Sequence, residues 1–153
     1  MYYSYSGSIN GTVYAFFGVC SVSGGVPSYC SVSAHELAHS FVNPAVDEYY
    51  NKFRDYLGMV SPVKDVMSSM GYSNWKAYLD ETFVRTFEAY YILKTQGNQS
   101  AERFIQGQEV LGFYLVGRVC RAYLTDYLPN RNRYPSFRMT SQEDINTQES
   151  ARY

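Results

Sequence analysis

The hydrophobic pattern changes character about thirty residues into the chain. Residues 12–19 are dense in Thr, Val, Tyr and Phe, which predicts a strand, and residues 2–5 indicate a second one. The Asn10-Gly11 dipeptide between them favours a tight hairpin turn. We therefore expect a small N-terminal β-hairpin or sheet. Its open edge is suited to pairing with an extended peptide, and the simpler alternative is a sheet that covers one side of the core.

From about Ser28 onward, apolar residues recur at helical spacing. The first helix is expected to end at Asn43, because Pro44 disfavours α geometry in the residue before it. Four residues of this helix follow the i, i+3, i+4, i+7 spacing of a buried face: Ala34, Leu37, Ala38 and Phe41.

The remaining pattern is helical almost to residue 128, with glycines as punctuation. Further helices are predicted over residues 46–57, 62–70, 74–95 and 100–128, with Asn74 and Ser100 as N-caps. Breaks are expected at Gly58, Gly71 and Gly97, and weak points at Gly107, Gly112 and Gly117. The predicted class is α+β and mainly α. We expect one domain over residues 1–137 and a polar tail over 138–153.

The only two histidines lie four residues apart, as His35 and His39, in an H-E-x-x-H pattern with Glu36. Positions i and i+4 share a helix face, so both imidazoles can bind one zinc ion, while Glu36 can take a proton from a zinc-bound water. All three lie roughly opposite the predicted apolar face. An alternative is a capping box, in which Ser33 caps the helix and Glu36 folds back onto the backbone. A helix that begins before Ser33 favours the metal site.

A catalytic zinc usually takes three protein ligands and keeps one position open, so a third ligand is needed. Without a third histidine, we expect a carboxylate from the 74–95 helix, where Glu81, Arg85 and Glu88 form a polar stripe. Glu88 lies roughly 10 Å beyond Glu81, so only one of them reaches the ion. Glu81 is preferred, and Glu88 stays open. Arg85 can orient Glu81 or pair with Glu88, unless these residues are only an exposed ion pair. The opposite face of this helix is apolar: Leu79, Phe83, Phe87, Tyr90 and Tyr91.

Two sequence blocks resemble known zinc metallopeptidases. Residues 35–44 read H-E-L-A-H-S-F-V-N-P, and residues 81–85 read E-T-F-V-R. An H-E-x-x-H helix followed by a glutamate on a later helix resembles the gluzincin group. More narrowly, the two blocks are similar to a bacterial family catalogued as domain of unknown function 4932, whose members carry H-E-F-S-H-S-F-V-N-P and E-x-x-V-R. Leu37 and Ala38 replace Phe and Ser here.

The resemblance implies a zincin-like fold and a peptidase activity that is itself inferred for that family. It implies His35, His39 and Glu81 as ligands of a zinc ion, and Glu36 as the general base. It also implies that more sequence normally precedes this region, which makes the chain a candidate fragment.

The function expected from these residues is zinc-dependent hydrolysis of a peptide or protein substrate. Asn43, one turn after His39, is a candidate support for that histidine, although the simpler interpretation is a helix C-terminal residue before Pro44. Tyr134 is a candidate donor to the oxyanion. One alternative is a zinc-stabilised binding or scaffold protein without turnover, in which Asp47 or Glu48 closes the metal site. Another is a helical adaptor that binds no metal.

The composition excludes some classes of partner but does not identify the cellular compartment. A net charge of −1 gives no case for nucleic acid or an anionic membrane, and no apolar run is long enough to span a bilayer. The first residues do not form a signal peptide. Cys20 and Cys30 can bridge a hairpin, although nothing in the sequence requires it, and Cys120 makes the cysteine number odd. We expect a secreted or periplasmic protein if the chain is a trimmed mature domain, and a cytoplasmic one otherwise.

Overall fold

The computed structural model describes residues 5–9, 12–16, 22–23, 26–27 and 30–133, and within them the protein is mainly helical. The α-helices are α1 (Cys30–Phe53), α2 (Lys64–Ser69), α3 (Trp75–Gln96), α4 (Asn98–Val110) and α5 (Val116–Ala122). A 3₁₀ helix over Arg54–Val63 joins α1 to α2, and a π-helical turn over Tyr123–Tyr127 and a 3₁₀ turn over Leu128–Asn130 follow α5. The mainly α class is confirmed. None of the helices in the described ranges is both long and apolar enough to cross a bilayer.

The N-terminal strands form two antiparallel pairs. Strand β1 (Tyr5–Ile9) pairs with β2 (Thr12–Phe16), so that Ile9 lies opposite Thr12. The short strands β3 (Val22–Ser23) and β4 (Val26–Pro27) pair with each other. Strand β1 thus begins where the predicted 2–5 strand ends, and both β1 and β2 lie against α1.

Helix α1 does not end at Asn43, so that prediction is wrong. It continues through Pro44 to Phe53 and absorbs most of the helix predicted over 46–57. Pro44 removes one backbone hydrogen bond, but its position is exposed, where water can satisfy the freed carbonyl of Ser40. Because α1 begins at Cys30, Ser33 lies inside the helix, and the capping-box alternative is also wrong.

The buried face of α1 also differs from the predicted one. Leu37 and Phe41 are 48% and 51% exposed. Continued along the helix, the predicted face reaches Pro44 and Glu48, which are exposed. A neighbouring face is apolar from Ala38 to Tyr49 and packs on the core. Its buried residues are Ala38, Val42, Ala45, Val46 and Tyr49.

Helix α3 is the central helix of the fold, and its predicted bounds are confirmed. The Asn74 side chain accepts a hydrogen bond from the Ala77 backbone N–H at 2.9 Å, and Gly97 ends the helix with a φ of 86°. Helix α3 packs against α1, α4 and α5, so it is buried on more than its apolar face. Glu81 and Glu88 are only 9% and 7% exposed, and they are not an exposed polar stripe.

The helix predicted over 100–128 is divided at Gly112. This glycine has a φ of 104°, a left-handed conformation that other residues rarely adopt. A Cβ there would also lie 2.6 Å from Met67 Cε. The chain therefore turns between α4 and α5, which lets Phe113 pack beside Tyr78 in the core. The helix predicted over 62–70 is shorter, as α2, and Gly71 follows it with a φ of 94°.

Candidate metal centre

The candidate site lies between α1 and α3, which run antiparallel. The first turns of α1 meet the later part of α3, where His35 contacts Glu88. Farther along α1, Asp47 contacts Lys76 in the first turn of α3. Because α1 continues past Pro44, it places one row of side chains at i, i+4 spacing along α3. The residues of this row are His35, His39, Asn43 and Asp47.

His35, His39 and Glu81 converge on one point. The Nε2 atoms of His35 and His39 lie 3.7 Å and 3.4 Å from the two carboxylate oxygens of Glu81. One ligand atom from each residue lies within 4.8 Å of the other two. A tetrahedral zinc ion with bonds of 2.0–2.2 Å holds its ligand atoms about 3.3–3.6 Å apart. The three groups therefore need only small movements to bind one ion, and they come from two helices, as the sequence predicted.

The outer nitrogen of each histidine is hydrogen-bonded. His35 Nδ1 lies 3.2 Å from Glu88 Oε2, and His39 Nδ1 lies 3.0 Å from Asn43 Oδ1. Both partner atoms are oxygens that accept, so the two contacts are hydrogen bonds in the tautomer that carries its proton on Nδ1. This tautomer leaves the Nε2 lone pairs directed toward Glu81, where a metal ion needs them. Asn43 therefore has the supporting contact to His39 that its spacing predicted.

The pKa values of His39 and Glu81 are both shifted by their mutual contact in the metal-free protein. Burial lowers the pKa of His39, but the hydrogen bonds to Glu81 and Asn43 and the nearby negative charges raise it above its ordinary value overall. Burial raises the pKa of Glu81, but His39 and the Arg85 charge hold it below its ordinary value overall. A proton on His39 and a metal ion thus compete for the same Nε2 atom.

Arg85 lies beside Glu81 and is held on several sides. Its Nη2 lies 3.0 Å from Glu81 Oε2 and donates a hydrogen bond to the Tyr72 hydroxyl at 3.3 Å. Its Nη1 donates to Gln108 Oε1 at 3.0 Å, and its Cζ lies 4.2 Å from the centroid of the Phe113 ring. Glu81 Oε2 is buried and accepts no well-aligned hydrogen bond within the described part of the chain, in spite of its charge contact with Arg85. A buried carboxylate oxygen with spare lone pairs is suited to a cation.

Sequence reasoning missed Tyr72 and Gln108. Tyr72 comes from the loop before α3 and Gln108 from α4, so no spacing along α3 points to them. Burial, together with the negative charge of Glu81, raises the pKa of Tyr72 in spite of Arg85. The sequence left open whether Arg85 contacts Glu81 or Glu88, and in the described part of the chain Arg85 pairs with Glu81.

The other predicted residues occupy different places. Glu36 is buried, and its charge contributes to the raised pKa of His39, so it lies near the site. Asp47 pairs with Lys76 at 2.9 Å, and neither Asp47 nor Glu48 belongs to the group of converging ligand atoms in the described chain. Tyr134 lies outside the described residues, as does Cys20 and with it any bridge to Cys30. Cys120 is a buried free thiol.

The comparisons with known proteins identify a family without an assigned activity. The family described as "Domain of unknown function (DUF4932)" matches residues 21–145. The match includes α1, α3 and the side chains of the candidate site. No curated protein matches the chain, and no solved structure does either. The chain belongs to the DUF4932 family.

Proposed function

We propose that this protein is a zinc-dependent peptidase with a zincin-like site, in which His35, His39 and Glu81 hold the metal. The observation that carries the proposal is the convergence of three ligand atoms from α1 and α3, with both Nδ1 atoms already hydrogen-bonded. Metal-binding histidines typically have their second ring nitrogen hydrogen-bonded to another group. Two histidines that are merely exposed on a helix do not require such partners at Nδ1.

The donor set supports zinc and an open coordination position. Two imidazole nitrogens and one carboxylate are ligands that zinc accepts, and a site with three protein ligands leaves a position for water and substrate.

In this proposal Glu36 acts as the general base. His35, His39 and Glu81 would hold the zinc ion, which when bound would lower the pKa of a water molecule and polarise the scissile carbonyl. Glu36 accepts the proton of the attacking water and passes it to the leaving amine. Two observations support this role: Glu36 is buried, and its charge helps to raise the pKa of His39. The hydrogen bond to Asn43 holds His39 in its binding tautomer during this step.

The test compares zinc content and peptide hydrolysis in the parent protein and in Glu36→Gln. We expect the variant to keep its zinc and to lose about 10²–10⁴-fold in rate on a mixed peptide library. Glu102→Gln is the matched control, because Glu102 is exposed on α4 and should leave both quantities unchanged. A parent protein that binds zinc but cleaves no peptide, or a Glu36→Gln variant with full activity, would contradict the proposal. The first result is the one expected of a zinc-stabilised scaffold.

A further inference from the structure

Glu88 is a buried carboxylate with no role in the proposed reaction. It lies seven residues after Glu81 on α3, roughly 10 Å along the helix. It is not part of the group of converging ligand atoms, and its Oε2 instead lies 3.2 Å from His35 Nδ1. We propose that Glu88 is a positioning residue, which fixes the tautomer and ring orientation of His35 and strengthens its Nε2 as a metal donor. This inference rests on the proposed zinc site.

Burial of a charged group costs free energy unless the group is paired. A carboxylate that is 7% exposed needs partners that donate hydrogen bonds or carry positive charge. An ionised carboxylate can only accept, so its contact with His35 requires a proton on Nδ1. The lone pair of the ring is then on Nε2, which faces Glu81 at 3.7 Å. The negative charge behind the ring also makes Nε2 more basic toward a cation.

The two histidines are supported in different ways. His39 donates to Asn43, a neutral amide on its own helix, whereas His35 donates to a charged group on the facing helix. The contact with Glu88 therefore orients His35 relative to α3, the helix that also carries Glu81. One face of α3 thus supplies a metal ligand and, two turns later, the group that aims the first histidine at that ligand.

Zinc affinity measured by competition with a chromophoric chelator tests the proposal. We expect Glu88→Ala to weaken zinc binding about 10–100-fold, the loss that follows removal of a partner behind a metal ligand. Glu88→Gln should lose less, because its amide oxygen still accepts the Nδ1 proton but carries no charge. Glu102→Gln, the exposed control, should bind as the parent protein does. Circular dichroism should show that each variant retains the parent's helix content.

A second readout does not depend on zinc. Nitrogen-15 NMR of the metal-free protein, at a pH where His35 is neutral, reports which ring nitrogen carries the proton. We expect the Nδ1–H form in the parent and in Glu88→Gln, and a mixture of both forms in Glu88→Ala. This readout decides the case even if Glu88→Ala does not fold, because a parent His35 in the Nε2–H form would overturn the inference.

The two proposals fail in different ways. A parent protein that takes up no zinc would refute the metal site and this inference with it. A parent that binds zinc, together with a folded Glu88→Ala variant of equal affinity, would refute the positioning role of Glu88 alone.

Discussion

Removal of zinc should destabilise the protein, because the ion would link two helices that are far apart in sequence. Glu81 lies 42 residues after His39, and the three ligand atoms meet only when α1 and α3 are packed. An unfolded chain offers the two histidines but not the assembled site. Zinc therefore binds the folded protein preferentially and stabilises it by mass action.

The size of the effect follows from this linkage. At a free zinc concentration one hundred times the dissociation constant, the stabilisation is about 2.7 kcal/mol. For a domain of about 150 residues, each kcal/mol raises the melting temperature by about 2–4 °C, so the expected increase is about 5–11 °C. Each further tenfold increase in zinc should add about 1.4 kcal/mol, or roughly 3–6 °C, without a plateau while the protein folds reversibly.

Thermal unfolding followed by circular dichroism, with a chelator and then with buffered zinc, measures this effect. Glu81→Ala should show a much smaller zinc-dependent increase, because the two remaining histidines both lie on α1 and do not link it to α3. Hydrogen exchange should show added protection in both helices of the parent protein. The reasoning is refuted if zinc leaves the melting temperature unchanged, or if the parent and Glu81→Ala respond equally.

Three further results are expected. The pKa of His39 lies above its ordinary value of 6.5, so zinc binding at a pH near this pKa should release a proton, and zinc affinity should fall as the pH is lowered through it. Calorimetry in buffers of different ionisation enthalpy measures the affinity and the number of protons released. Zinc binding without proton release would contradict this prediction. Phe113→Ala should lower the free energy of unfolding in urea by about 3–5 kcal/mol, because Phe113 is almost fully buried under Arg85. Phe41→Ala should lower it far less, because Phe41 is half-exposed. Equal losses in the two variants would contradict this description of the core. Gly112→Ala should lower the free energy of unfolding by about 1–2 kcal/mol because of the left-handed φ alone, and further because of the clash with Met67. An unchanged free energy of unfolding would contradict the requirement for glycine at this turn.

Local signals in the sequence predicted the parts of the structure that depend on local physics. The bounds of α3 follow from a side-chain cap at Asn74 and a glycine at position 97, both of which act within one turn of the helix. The H-E-x-x-H spacing places two histidines on one face for the same reason. The distance between Glu81 and Glu88 along the helix predicted only that one of them reaches the ion. The family resemblance implied Glu81, and the structure brings Glu81 to the histidines.

The parts that sequence reasoning missed depend on tertiary packing. Pro44 was expected to end α1, but its exposed position makes the lost hydrogen bond tolerable. The sequence left open whether the stripe with Glu88 is an exposed ion pair, and only packing shows that Glu88 is buried and contacts His35 on another helix. The Arg85 contacts with Tyr72 and Gln108 join three separate segments, so no periodicity within one segment reveals them.

The most direct test of the central claim is the metal content of protein purified without a histidine tag, measured by elemental analysis beside His35→Ala, Glu81→Ala and the control Glu102→Gln. We expect one zinc ion per chain in the parent and in the control, and loss of zinc in the other two variants. A parent chain that contains no metal and takes up none on titration with zinc would contradict the zinc site. Zinc retained in full by Glu81→Ala would contradict the role of Glu81 as the third ligand.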